Sequence, residues 1–287
     1  LVKLGETGES IKGASFIDND RKVATAYDDG SVIIYDAKTG KETQRCPKKL
    51  KSGGPDFDRY QFSADGTLVA GREEKAVVVW SVKTGEVKFR ADKLHTTNVN
   101  YKLSADGSTL ATSGSDRSLL IWSVDRGKQL NTIHFHQHSV STVSISSDGA
   151  MIVVGAGDRT CRIYNTKTTD EILVIRGHAL PIANTAFNDD GTMLATASHD
   201  GTVKLWRTGG RLILAESLKD PTRDNSQIRP RHGGGLDLVT LFGHEAPVYG
   251  VSSSPDGKLV ATSGIGFQLG DEQIKVYDLD PSSGSLE

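Results

Sequence analysis

The chain has 287 residues, 36% of them hydrophobic and 24% charged, with a net charge of −2 at pH 7 and two cysteines, Cys46 and Cys161. A chain of this length buries about 75% of the surface its unfolded form exposes, so no disulfide staple is needed, and its near-neutral charge argues against a dedicated nucleic-acid binder. No apolar run approaches the roughly 20 residues of a membrane span, the opening LVKLGETGES is not a signal peptide, and no N-x-[ST] sequon occurs.

From the N-terminus, short β-rich runs alternate with Gly-containing turns. IDNDRKVATAY and SVIIYD form the first repeat, closing on Tyr35. AVVVWS, SLLIWS, TCRIYN, TVKLWR and QIKVYD close the next five on Trp80, Trp122, Tyr164, Trp206 and Tyr277, at spacings of 45, 42, 42, 42 and 71 residues. Ahead of the last five stand SADGTLVAG, SADGSTLATSG, SSDGAMIVVG, NDDGTMLATAS and SPDGKLVATSG. Asp-Gly between apolar runs is a strong hairpin signal, since Gly takes the positive φ of a tight turn. The long last interval holds an insertion at about 211–237 whose middle, DPTRDNSQIRPRHGGG, is too polar to offset its ordering entropy and is expected to be flexible. A smaller insertion, GIGFQLGDEQ, lengthens a turn of repeat six. No segment has a helical apolar period. Repeats of about 42 residues cannot bury both faces alone and must stack on their neighbours.

These residues resemble the WD40-repeat β-propeller family over nearly the whole chain. The resemblance implies an all-β single domain over 1–287 with six four-stranded blades, closed by an N-terminal strand in LVKL, or a seven-bladed ring as the alternative. It also implies a buried polar network in each blade, complete in repeat five as Gly177-His178, Thr196 or Ser198, Asp200 and Trp206. By position the acids are Asp29, Glu74, Asp116, Asp158, Asp200 and Asp271, and the histidines are His95, His136, His178 and His244. Trp122, Tyr164 and Tyr277 complete the set as aromatic members. Repeats one and two lack the histidine, and three aromatics are Tyr. Trp80, Trp122 and Trp206 are read as core.

By the same resemblance, partners dock on the face carrying the residue before each acid and the start of each inner strand. Those positions are Asp28, Glu73, Ser115, Gly157, His199 and Gly270, with Lys12, Asp58, Asn100, Ser141, Ala183 and Tyr249. Tyr249 is the candidate anchor, because interface energy concentrates in Tyr, Trp and Arg. Lys12, Asp28, Asp58 and Glu73 would make its surroundings mainly acidic and favour a basic partner segment.

Chemistry is sparse. No G-x-x-x-x-G-K-[ST], H-E-x-x-H, C-x-x-C or G-x-S-x-G occurs. His134, His136 and His138 could share a strand face, but His136 belongs to the blade pattern, so no metal site and no cofactor are expected. Lys48, Lys49 and Lys51 beside Arg45 read as a solvated edge, as do Arg229, Arg231 and His232 on the insertion. The expected function is a non-catalytic scaffold that binds other proteins or peptide segments as part of a larger chain or complex. The alternatives are a propeller enzyme with a central-channel site and a reader of nucleic acid or phospholipid. Without the W-D-x-R box, nothing marks a ubiquitin-ligase adaptor role. Only two cysteines and no sequon point to a reducing compartment, so the cytoplasm is expected, with the nucleus as the alternative.

Overall fold

The structure, a computed structural model, describes residues 10–50, 60–73, 76–92, 100–134, 139–188, 191–208, 237–241, 244, 246–254, 257–265 and 272–279. Every regular element among them is a β-strand. Sheet one runs β1 (Ile11–Ile17), β2 (Lys22–Tyr27), β3 (Val32–Asp36), β4 (Glu42–Arg45), and sheet two β5 (Gln61–Phe62), β6 (Leu68–Glu73), β7 (Ala76–Ser81), β8 (Val87–Ala91). Sheet three holds β9 (Asn100–Leu103), β10 (Thr109–Ser113), β11 (Ser118–Ser123) and β12 (Lys128–His134). Sheet four holds β13 (Val140–Ile145), β14 (Met151–Ala156), β15 (Thr160–Asn165) and β16 (Glu171–Arg176). Sheet five holds β17 (Ile182–Phe187), β18 (Met193–Ser198), β19 (Val203–Arg207) and β20 (Asp237–Leu241). Sheet six has β21 (Val248–Ser253), β22 (Leu259–Ile265) and β23 (Glu272–Asp278). All are simple antiparallel meanders.

The chain divides into two compact units: Leu1–Leu94 with Lys102–Leu110 and Leu120–Asn131, and His95–Tyr101 with Ala111–Leu119 and Thr132–Glu287. The expected closing strand in LVKL and most of the insertion at 211–237 lie outside the described residues. The insertion's last residue opens β20, which pairs with β19 as the fourth strand of sheet five.

Turn chemistry sets the register. Ser63, Ser104 and Ser146 each accept the N–H of the residue that opens the next strand, at 3.0, 3.0 and 2.9 Å, and donate to Asp65, Asp106 and Asp148. Asn188 does the same for Met193 through Oδ1. The glycine that follows the aspartate is left-handed, as at Gly66 (φ +70°) and Gly107 (φ +74°). It is also a seat: a Cβ at Gly66 would strike Ile17 Cδ1, and one at Gly107 would sit 2.6 Å from Leu68 Cδ1. Backbone bonds Asp18 N–H to Ala64 C=O and Ala64 N–H to Ala105 C=O, both 2.8 Å, join the same turns from sheet to sheet. Sheet one breaks the rule, because Asp18, Asn19 and Asp20 are all left-handed at φ 55°, 52° and 63°. Such φ values are costly for residues with a Cβ. Asn tolerates this region better than other residues with a Cβ, so Asn19→Ala should lower the unfolding free energy by about 1 kcal/mol in denaturant titrations.

The core is a stack of sheet faces. In the second unit, Met151, Val153, Cys161, Ile163 and Ile175 of sheet four meet Ile182, Leu194 and Trp206 of sheet five. The other face of sheet five, Ala195, Ala197, Val203, Leu205 and Leu241, meets Val248, Val251, Val260 and Tyr277 of sheet six. The first unit repeats the arrangement, with Ala24, Ala26, Val32, Ile34 and Cys46 against Tyr60, Val69 and Trp80. Aliphatic front faces thus receive the aromatic rear face of the next sheet. On sheet six, Ile274 and Val276 occupy the positions of Val203 and Leu205, yet are 79% and 57% exposed where the latter are each 1%. Leu205→Ala should cost about 3 kcal/mol of stability, and Val276→Ala less than about 1 kcal/mol, by chemical denaturation.

Candidate functional site

Sheet five carries one continuous buried relay. The Trp206 indole N–H donates to Thr196 Oγ1 at 2.8 Å, Thr196 Oγ1 meets His178 Nε2 at 2.7 Å, and His178 Nδ1 meets Asp200 Oδ2 at 2.9 Å. With Nδ1 protonated, each proton in this chain has an acceptor. The N–H of Ala179 and both donors of Thr202 saturate the carboxylate. Thr196 is therefore the bridging hydroxyl; Ser198 instead donates to Leu180 C=O and Pro181 C=O. Burial opposes the Asp200 charge, but the bonds from Thr202, Ala179 and His178 outweigh it and hold its pKa down at about 2. His178 moves the same way for a different reason: burial lowers its pKa against the pull of Asp200.

Hydroxyl, imidazole and carboxylate in this order match a nucleophile, base and orienter. Thr196, however, is fully buried, and its oxygen is capped by the indole. No substrate reaches it, and the relay is structural.

Among the described residues, sheets one, two and four depart from the expected network, each for a visible reason. By register, Gly71 opposite Val78 stands where Thr196 stands opposite Lys204. A Cβ on Gly71 would lie 2.7 Å from the Tyr60 ring, which is buried and tilts onto Trp80 at 6.4 Å. An aromatic plug replaces the relay in sheet two. In sheet one Tyr27 and Tyr35 join hydroxyls at 3.1 Å, while Asp29 bonds Lys49 at 2.5 Å and the Ser31 N–H at 2.8 Å, with its pKa lowered to about 2 chiefly by Lys49.

In sheet four Val154 takes the hydroxyl position, Asp158 holds Thr160 and Arg162, and the Tyr164 hydroxyl donates outward to Glu171 at 3.2 Å. In sheet three Asp116 grips the buried Ser118, and Trp122 is core and lies 5.9 Å from Phe89. In sheet six the described members follow the relay: His244 Nε2 meets Thr262 Oγ1 at 2.7 Å, Tyr277 bonds Thr262, and Gly264 leaves the space the imidazole fills. What the four described acids share is a bond to the residue two positions on, which fixes the hairpin turn. Glu74, His95, His136 and Asp271 lie outside the described residues.

Of the expected docking face, Lys12, Asn100, Ser115, Ser141 and His199 are half-buried, and Asp28 and Tyr249 are exposed. Asp58 and Gly270 lie outside the described residues. Glu73 is not a free surface acid. It ends β6 and holds Arg90 at 2.5 Å, which also grips Asp92. What lies beside Tyr249 is different. Its ring centroid is 5.1 Å from that of His199, and its carbonyl accepts from Asn184 Nδ2 at 3.3 Å. His199 N–H donates to Pro181 C=O, and the adjoining Leu180 is 48% exposed, as Tyr249 is 44%. Leu180 was not among the expected residues, since a lone leucine in a loop gives no periodic signal. Among the described residues no group of three or more His, Cys, Asp or Glu side chains could hold a metal ion.

The relay makes a pH prediction. A free histidine protonates near pH 6.5, whereas His178 resists until lower pH, so the folded chain is fully stabilised above about 6.5 and loses stability as pH falls. Asp200, lowered to about 2, adds a second loss as pH falls through its folded value from about 4. His178→Gln should make the decline of the melting temperature between about pH 6.5 and 5 shallower. Thr196→Val, which strands the imidazole and the indole N–H, should cost about 2–3 kcal/mol at pH 7.

The family model described as WD domain, G-beta repeat matches residues 92–123, 127–165, 169–207 and 235–278. No curated protein is similar enough to this chain to count as a match. The matched stretches exclude repeats one and two, where the tyrosine pair and the Tyr60 plug stand in for the relay. They cover more than half of the chain and carry the turns, aromatics and relay described above, and so this all-β chain, its six sheets the blades, belongs to the WD40-repeat family of β-propellers.

Proposed function

We propose that the chain is a non-catalytic platform for protein assembly, with partners docking where Tyr249, His199 and Leu180 come together. The carrying observation is an exposed tyrosine whose ring rests on a histidine next to an exposed leucine. A rigid aromatic with an apolar neighbour provides contact area at low entropic cost. The enzyme alternative loses its best candidate, because the hydroxyl, imidazole and carboxylate of sheet five are sealed in the core. The net charge of −2 lends no support to a nucleic-acid reader. In this reading the two buried, unbridged thiols suit the cytoplasm.

The test is to capture partners with the tagged chain and with its Tyr249→Ala variant, and to compare the proteins held by quantitative mass spectrometry. A defined set should fall away from the variant while its melting temperature stays within about 1 °C of the parent, as expected for an exposed side chain. An unchanged set would remove the docking role from this surface.

A further inference from the structure

Two arginines stand in backbone conformations that L-residues avoid. Arg117 has φ +63° and Arg159 φ +69°, each directly after the acid of its repeat. The same position is Gly30 (φ +81°) in repeat one and Gly201 (φ +79°) in repeat five. Glycine fits this turn without strain, so the two arginines are held at a cost to stability. Strain kept at a surface turn points to a role for the side chain. Both are exposed, and neither guanidinium meets a carboxylate among the described residues. Arg45, Arg90 and Arg162, by contrast, each lie in an ion pair.

Arg159 is tied to the aromatic surface by one short loop. Its Nη1–H reaches Ala179 C=O at 3.4 Å, leaving its other donors open. Leu180 follows at once, and the Pro181 carbonyl holds His199, whose ring rests on Tyr249. A cation, an exposed leucine and an exposed tyrosine resting on a half-buried histidine thus follow one another along a single surface of the second unit. The acid beside each arginine is committed to its turn, Asp116 to Ser118 and Asp158 to Thr160.

We propose that this strip, Arg159, Leu180, His199 and Tyr249, with Arg117 at the equivalent turn of the preceding repeat, binds an acidic peptide segment carrying one large apolar side chain. The proposal rests on the platform reading and reverses the charge that the sequence alone suggested for the partner. The carboxylates meet the open guanidinium donors, which are suited to bidentate pairing, and the apolar side chain covers Leu180 and Tyr249.

The test pans a random peptide phage library against the whole chain, then measures the recovered peptides against two variants. One variant is Arg117→Gly with Arg159→Gly, which deletes both cations and suits the local φ, so it should melt no lower than the parent. The other is Tyr249→Ala. Recovered peptides should be rich in Asp and Glu around a Leu, Phe or Trp. They should bind both variants at least about tenfold more weakly and weaken with added salt. Basic or uncharged peptides, binding indifferent to the double glycine variant, or no recovered peptide would each overturn the proposal. If cellular partners still fall away from Tyr249→Ala in any of those cases, the platform reading stands and only the acidic specificity fails.

Discussion

Everything in this fold depends on a sheet that is apolar on both faces and can bury neither alone. The solution is asymmetric: a front of Ala, Val and Leu meets a rear that carries Trp or Tyr. The aromatic of the rear face packs against the smaller side chains of the sheet before it. Placing Trp206 there creates a problem of its own, an indole N–H in a dry core, which must find an acceptor. The Thr196 hydroxyl is that acceptor, and the histidine and aspartate exist to satisfy the hydroxyl in turn. The polar relay is thus a consequence of hydrophobic stacking, and through Asp200 and His178 it makes stability depend on pH.

Seen this way, the variation between repeats has a physical order. Where the aromatic is Tyr, its hydroxyl can accept as well as donate, and other partners suffice: Tyr35 takes Tyr27, and Tyr164 reaches the exposed Glu171. Where Trp80 faces Gly71, the ring of Tyr60 fills the place of the whole relay. Val154 removes the bridging hydroxyl and the demand for one together.

The repeat and the turn glycines were legible in the sequence because each is a local pattern of fixed spacing, and the sheet-five relay through the family resemblance that the repeat carries. The bridging residue was narrowed to Thr196 or Ser198, and only strand register separates them: one faces the indole and the other the 180–181 carbonyls. Tyr60 was not legible, since it comes from outside the motif and is recognised only by the glycine that yields to it. Glu73 misled for a related reason: a turn one residue shorter moves it from the loop into β6 and within reach of Arg90. Of the residues in the proposed strip, Tyr249 and His199 were singled out from the sequence but Arg117 and Arg159 were not. Asp-Arg in place of Asp-Gly looks like ordinary surface variation until the backbone angle is known.

The two thiols have a use that follows from where they sit. Cys46 lies in the core of the first unit and Cys161 in that of the second, each buried and unbridged. Burial pushes the Cys161 thiol well above its ordinary range, with the nearby Asp158 charge adding to it, so in the closed state it has almost no thiolate with which to react. Alkylation then proceeds only while the surrounding sheets are parted. A single protein therefore carries two built-in clocks, one per unit, and the ratio of their rates reports whether the units breathe together or apart.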